Sequence, residues 1–276
     1  MFNLLSSTLK NINKLNIIFI FLSGIVLLFI AAPLLSMYFK VSLQDYFDTV
    51  NDKDVTNSIF LTFFTSFCST IFFGFLAIPF AYLLARKNFV GKKIVTGIID
   101  LPVVIPHSAA GIALLGFISR DTFLGQFAEF LGFNLVGSTV AISLAMAYVS
   151  IPFLINSARD GFLAIPEKYE KVALNLGATP IQVFFKISLP LAWRNIVSGS
   201  VLMFARGMSE FGAVIMVAYH PMITPILIFE RFSSFGLKYS RPVAAIFIII
   251  CLAFFVLIRY LSSKKKITNG IRDVRT

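Results

Sequence analysis

The sequence predicts an all-α integral membrane protein with six transmembrane helices, and three observations carry that expectation. The 276 residues are 58% hydrophobic and only 13% charged, where a soluble domain carries about 45–50% apolar and about 25% charged residues. The apolar residues gather into six runs, 16–38, 58–85, 94–118, 136–157, 196–219 and 242–261. Each reaches the ~20 residues that carry a helix across a ~30 Å hydrocarbon core. None alternates strictly as the ~10-residue strands of a membrane barrel do. The same composition excludes a soluble enzyme, and it excludes disorder, whose signature is low hydrophobicity.

The elements follow in order. Residues 1–15 form a short N-terminus, with Lys10 and Lys14 ahead of the first run. That run is longer than the apolar core of a signal peptide, so it stands as a span. The second and sixth runs hold Cys68 and Cys251 about ten residues in, with no second ligand at metal spacing. They read as small packed side chains rather than as a disulfide or a zinc site. In the third run, Asp100 sits near the inner interface and Pro102 and Pro106 stand four residues apart, followed by His107 and Ser108. The prolines remove backbone donors and kink the helix, which is tolerated only against protein or a water-filled cavity. His107 reads either as a helix–helix hydrogen bond or as part of an ion path.

The fifth run contains two charges, Arg206 and Glu210. Ionisable groups at the bilayer centre cost roughly 2.5–3.5 kcal/mol each on insertion scales, which makes them functional candidates. If the helix enters at about residue 196, Arg206 lies about 15 Å deep, with Glu210 one turn on along the same face. Two readings stand: a buried ion pair that sets helix register, or a guanidinium offered to an anion in transit. A guanidinium suits tetrahedral oxyanions, whose oxygens accept paired hydrogen bonds.

Charge sets the orientation. With the N-terminus inside, seventeen of the 24 Lys and Arg fall in cytoplasmic segments and six in outer loops, with Arg206 inside a span. This satisfies the positive-inside rule and puts both termini in the cytoplasm of a cell-membrane protein. The net charge of +11 is thereby a topology signal, and no nucleic-acid partner is expected. The basic tail, 262–276, is too short for a regulatory domain. No phosphate-binding loop occurs, because Gly91-Lys92-Lys93 lacks both the first glycine and the hydroxyl of that motif.

One loop is not plain. Residues 158–195 lie between the fourth and fifth runs. Pro166 suits the first turn of a helix, and Glu167 places a negative charge near its N-terminus. Tyr169, Val172, Ala173 and Leu176 then follow i, i+3, i+4, i+7, one face of a short amphipathic helix. Gly177 is placed for the left-handed cap, Thr179 for the next N-cap, Pro180 opens a second helix and Pro190 closes it. The unit reads helix–turn–helix. Its apolar face either lies on lipid or fits a groove on a soluble partner.

Gly177, Ile187 ten residues on, and Leu189-Pro190 match the spacing of the cytoplasmic "EAA" loop of ABC-importer permeases, with Lys171-Val172-Ala173 standing where Glu-Ala-Ala is usual and Glu170 one position early. The chain thus resembles the type I importer permease fold, six helices with a cytoplasmic coupling loop. The resemblance implies that Tyr169, Glu170, Val172, Ala173, Leu176, Gly177, Ile187, Leu189 and Pro190 form the ATPase-coupling element. It also implies a homodimer on two cytoplasmic ATPase subunits, served by an external oxyanion-binding protein. ATP and Mg belong to the ATPase, and no cofactor is expected in this chain, which is then not itself an enzyme. The segments holding Pro106-His107-Ser108 and Arg206…Glu210 resemble the molybdate/tungstate branch, in its archaeal form, with the sulfate/thiosulfate branch close by. Two other function classes fit the sequence less well. A stand-alone secondary anion transporter needs a coupling-ion site that the few intramembrane carboxylates hardly supply, and an intramembrane enzyme needs a dyad or metal cluster that the spans lack.

Overall fold

The structure, a computed structural model, describes residues 14–270, with side chains over 15–257. Most of the expected N-terminal segment and the end of the basic tail lie outside these residues. Every regular element among the described residues is helical: α1 (Lys14–Phe39), α2 (Leu43–Asn51), α3 (Lys53–Arg86), α4 (Lys92–Val104), α5 (His107–Ile118), α6 (Phe123–Phe130), α7 (Thr139–Leu163), α8 (Lys168–Asn175), α9 (Pro180–Val183), a π-helical turn (Phe184–Ser188), α10 (Leu189–Met208), α11 (Gly212–Val217), α12 (Thr224–Phe235) and α13 (Leu237–Gly270). Among the described residues five helices are long and apolar enough to cross a membrane, and the bent pair α4–α5 makes six if counted as one span. Two compact units result among the described residues, 53–230 and those on either side of it.

Within residues 53–230, the packing follows from lipid as the solvent. Burying a phenylalanine gains little when the outside is equally apolar, so close contact falls to small and hydroxyl side chains. In α3, Ser58, Thr62, Thr65, Ser66, Ser69 and Thr70 are buried while Phe60, Phe67 and Phe75 face outward. The inward hydroxyls are satisfied locally, as by Thr62 Oγ1 donating to the Ser58 carbonyl at 2.6 Å. Ser66 Oγ instead donates to the Phe204 carbonyl at 2.7 Å, tying α3 to α10. Helix α7 is central. One half packs Leu154, Ala158 and Phe162 with Ala77, Ala81 and Leu84 of α3 and Ala192, Ile196 and Met203 of α10. Its other half packs Ala141, Ala145 and Met146 with Ala110 of α5 and Ala213 and Val214 of α11.

The other unit contains α1, α2 and α13. The apolar side chains of α1 are largely exposed over the whole helix, as expected of a span whose surroundings are lipid. Tyr38 Oη donates to the Ala245 carbonyl at 3.4 Å, fixing the end of α1 to α13. Helix α2 starts in a capping box between Ser42 and Asp45. Arg231 closes on Asp52 at 2.5 Å.

Three expectations change. The third run, 94–118, is not one kinked helix: α4 and α5 are bent by 114° at Ile105-Pro106. Ile105 is held extended (φ −74°, ψ 151°) by the proline after it, whereas Pro102 sits inside α4 without breaking it. The fifth run, 196–219, is also divided, because α10 ends at Met208 and α11 begins at Gly212. Arg206 therefore occupies the last turn of α10 rather than the middle of a continuous helix. Finally, Pro190 does not close the second helix of the loop, which runs on from Pro180 to Met208. The π turn makes this possible: the Leu189 N–H reaches back to the Phe184 carbonyl, five residues away, and the widened turn accommodates the missing proline donor.

Candidate functional site

Two places collect the residues singled out above, and the first is helix α8. It starts over Pro166–Lys168, where the Tyr169 N–H donates to the Pro166 carbonyl. It ends at Gly177, whose φ of +90° is left-handed, so the chain turns there without the strain a side chain would add. Thr179 then caps α9, accepting from the Gln182 N–H, and the Gln182 side chain returns the bond to Thr179 N–H. The two caps give the elbow a defined shape.

Within α8 the faces divide sharply. Tyr169, Val172 and Leu176 are 50%, 56% and 83% exposed, with Ala173 half-buried beside them. Their apolar stripe is covered by nothing among the described residues. Glu170, grouped with that surface by sequence, turns the other way and is buried. It accepts from Arg86 Nε at 2.9 and 3.0 Å, from Arg86 Nη2 at 2.9 Å, from Ser188 Oγ at 2.7 Å and from Tyr82 Oη at 3.3 Å. Burial pushes this carboxyl up, but the hydrogen bonds from Arg86 and Ser188 and the Arg86 charge outweigh it and leave it below its ordinary value. Of the remaining residues in the loop pattern, Ile187 is half-buried, Leu189 packs against the core and Pro190 is exposed. They shape the π turn and the start of α10, and they stand apart from the α8 stripe. Sequence reading passed over Arg86, Tyr82 and Ser188, since nothing in their spacing signals a common partner.

The second place is the junction of the two helix breaks. Glu210 lies between α10 and α11, buried, and its Oε2 is 2.7 Å from His107 Nδ1 and 2.9 Å from Arg206 Nη2. Its Oε1 accepts from the Ala213 N–H at 2.8 Å, satisfying one of the orphan donors that open α11. Arg206 Nη2 is also 2.6 and 2.8 Å from the two ring nitrogens of His107. An ionised carboxylate can only accept, so the bond between His107 and Glu210 is donated by the imidazole. A cation thus closes the C-terminal end of α10 and an anion opens α11, each where the helix dipole favours it. Arg206 Nη1 donates to Ser209 Oγ at 3.2 Å, and Ser209 Oγ donates to the Arg206 carbonyl at 3.0 Å. Gly212 permits the approach, because a Cβ there would lie 2.8 Å from the Cβ of His107. Pro106 and Ser108 flank the cluster and are exposed.

A cavity of about 450 Å³ is lined by Asp100, Val103 and Val104 of α4, by Pro152, Phe153, Asn156, Ser157 and Asp160 of α7, and by Asn195 and Leu202 of α10. Asn156 Nδ2 donates to Asp100 Oδ1 at 2.7 Å, and Ser157 Oγ to the Asn195 carbonyl at 2.7 Å. Leu202 precedes Arg206 by one turn of α10, while His107, Arg206 and Glu210 are not among the lining residues. Asn156, Asn195 and Ser157 carried no signal in the sequence beyond being polar within apolar runs. No group of three or more His, Cys, Asp or Glu that could hold a metal occurs among the described residues.

Comparison with known proteins decides the family. Residues 77–267 match the model of the binding-protein-dependent transport system inner membrane component. The chain belongs to that family. It is a permease of the ABC-importer class, whose ATP hydrolysis resides on separate subunits. The permease is 39% identical over 251 residues to the molybdate/tungstate transport system permease protein WtpB of Pyrococcus abyssi, covering 90% of this chain and 96% of that one. With the protein of the same name from Methanocaldococcus jannaschii it shares 40% over 234 residues, 85% and 91% of the two chains. The sulfate transport system permease protein CysT of Salmonella typhimurium is 30% identical over 244 residues, 87% and 88% of the two chains. Among solved structures, a bacterial ABC transporter involved in import of the acidic polysaccharide alginate superposes with a TM-score of 0.73 at 18% identity, over 94% of this permease and 99% of that chain, which supports the fold.

Proposed function

We propose that this permease translocates a tetrahedral oxyanion, tungstate or molybdate, as a homodimer on two cytoplasmic ATPase subunits, receiving its cargo from an external binding protein. The observation that carries the substrate is the near-full-length identity of 38–40% to molybdate/tungstate permeases, against 27–30% to sulfate permeases. Both termini and the α8 elbow lie in the cytoplasm, in keeping with the distribution of Lys and Arg. There the Tyr169–Val172–Leu176 stripe seats in a groove on the ATPase, the mode of an amphipathic helix with apolar anchors one turn apart. Closure of the two ATPases displaces α8, and the spans alternate between inward-open and outward-open states.

Along the pathway, Arg206 and His107 stand at the broken helices. The Arg206 side chain is 24% exposed, enough to present paired donors to a passing oxyanion while Glu210 balances its charge. A carboxylate held this close keeps the anion from binding tightly, which suits passage and leaves high affinity to the binding protein.

Uptake by proteoliposomes containing permease and ATPase, with the binding protein outside, tests this. Tungstate or molybdate uptake that needs ATP and is little competed by sulfate is the expected result. Preferential sulfate uptake overturns the substrate. Concentrative uptake without the ATPase overturns the mechanism and favours a secondary transporter.

A further inference from the structure

The buried face of α8 says how its movement reaches the membrane. The Glu170 carboxylate is the meeting point of three segments: α8 itself, the end of α3 through Arg86 and Tyr82, and the π turn leading into α10 through Ser188. The side chains of Arg86 and Glu170 are 8% and 10% exposed, so solvent hardly competes for these bonds. Arg86 is held in turn by the Ile165 carbonyl at 3.2 Å, just ahead of α8. Around the carboxylate, Tyr82 packs edge-on to Phe162 and to Phe184 with centroids 5.2 and 5.0 Å apart, closing the site with aromatic rings. Elsewhere α8 has little hold on the bundle, since its other large side chains, Tyr169, Val172, Leu174 and Leu176, are exposed.

We infer that Glu170 is the positioning residue that locks the docking helix to the ends of α3 and α10, so that displacement of α8 moves both helices together. The inference rests on the functional reading above. The Coulomb attraction and paired geometry resist both sliding and rotation, as an apolar contact would not. Ser188 is the last residue of the π turn, so its bond to Glu170 grips the chain where α10 begins. A pull on α8 is therefore passed to α10 beyond the π turn rather than absorbed within it.

The test uses the full complex in proteoliposomes, with uptake and ATP hydrolysis measured side by side in wild type, Glu170→Gln and the milder Ser188→Ala. Both variants are expected to retain the ATPase subunits and hydrolyse ATP, while anion moved per ATP falls by about tenfold or more in Glu170→Gln, the scale of losing a charged buried hydrogen bond, and by less in Ser188→Ala. A structural readout accompanies it: spin labels at Leu83→Cys and Leu174→Cys, with Cys68 and Cys251 replaced by serine, give one narrow distance in wild type with and without trapped ATP, and a broad one in Glu170→Gln. Wild-type coupling in both variants, or an unchanged narrow distance in Glu170→Gln, overturns the inference, as does loss of the ATPase subunits from both variants, which assigns Glu170 to assembly instead. If wild type itself shows no ATP-driven uptake, the functional reading fails, and the spin-label distances still decide whether Glu170 locks α8.

Discussion

His107 Nδ1 lies 2.7 Å from the buried Oε2 of Glu210, and this bond joins the break between α4 and α5 to the break between α10 and α11. Each break exposes backbone groups that lipid cannot satisfy. The two are stable because they face one another, with Glu210 taking the Ala213 N–H on one side and His107 on the other. Removing the carboxylate leaves Arg206 and His107 without their acceptor. Glu210→Ala is expected to destabilise the permease by about 3–5 kcal/mol, the range for breaking a buried ion pair from one side, read as a lowered thermal midpoint in detergent. Glu210→Gln, which keeps an acceptor oxygen, is expected to lose less.

The two informative glycines fail for different reasons. Gly212 abuts the Cβ of His107 at the distance given above, so Gly212→Ala overpacks the junction and costs about 1–3 kcal/mol. Gly177 has open space around its missing Cβ but a φ of +90°. Gly177→Val therefore strains the backbone locally, by on the order of 1–2 kcal/mol, and misdirects α8. Membrane insertion and yield are expected to be normal and uptake abolished. Uptake at the wild-type rate would count against α8 as the coupling element.

Leu176 is 83% exposed and touches no buried core. Leu176→Asp should leave the thermal midpoint of the isolated permease within the span of an ordinary surface change, about 0.5 kcal/mol. Co-purification of the ATPase subunits should be lost. A normal yield of complex would show that the stripe is covered by something else.

Acid separates the two faces of α8. Because Glu170 is held below its ordinary carboxyl value of 4.5, the folded protein binds its proton less readily than the unfolded chain does. Its contribution to stability is complete above that ordinary value and is lost as pH falls through the lowered one. The stability gap between wild type and Glu170→Gln is therefore expected to be constant near neutrality and to shrink below about pH 4.5. Thermal melts of both proteins between neutral and acid pH check it. A gap that does not change on acidification would mean the carboxylate is not held ionised by Arg86.

Much of this arrangement was legible in the chain. Gly177 followed by Thr179-Pro180 marks the elbow, because a left-handed glycine, a hydroxyl cap and a proline act on their own neighbours. The prolines of the third run signal a kink there, but not the 114° break between α4 and α5. The division of the fifth run was not legible. Nothing in Met208-Ser209-Glu210-Phe211 forbids a helix, and the break there depends on what His107, a hundred residues away, offers to Glu210. The inward turn of Glu170 escaped as well, since on an exposed short helix a glutamate reads as solvated until Arg86 and Ser188 are seen around it.

By itself, then, the amino-acid order determined the all-helical membrane class, where most of the apolar runs lie, and which loop carries an apolar stripe, because hydrophobic run length, proline and glycine act within a few residues. Only the tertiary structure decided which charges meet and which helices give way at their middles. In a low-dielectric interior a carboxylate must find its donors wherever they lie, and the backbone yields at the points where that pairing outweighs a continuous helix.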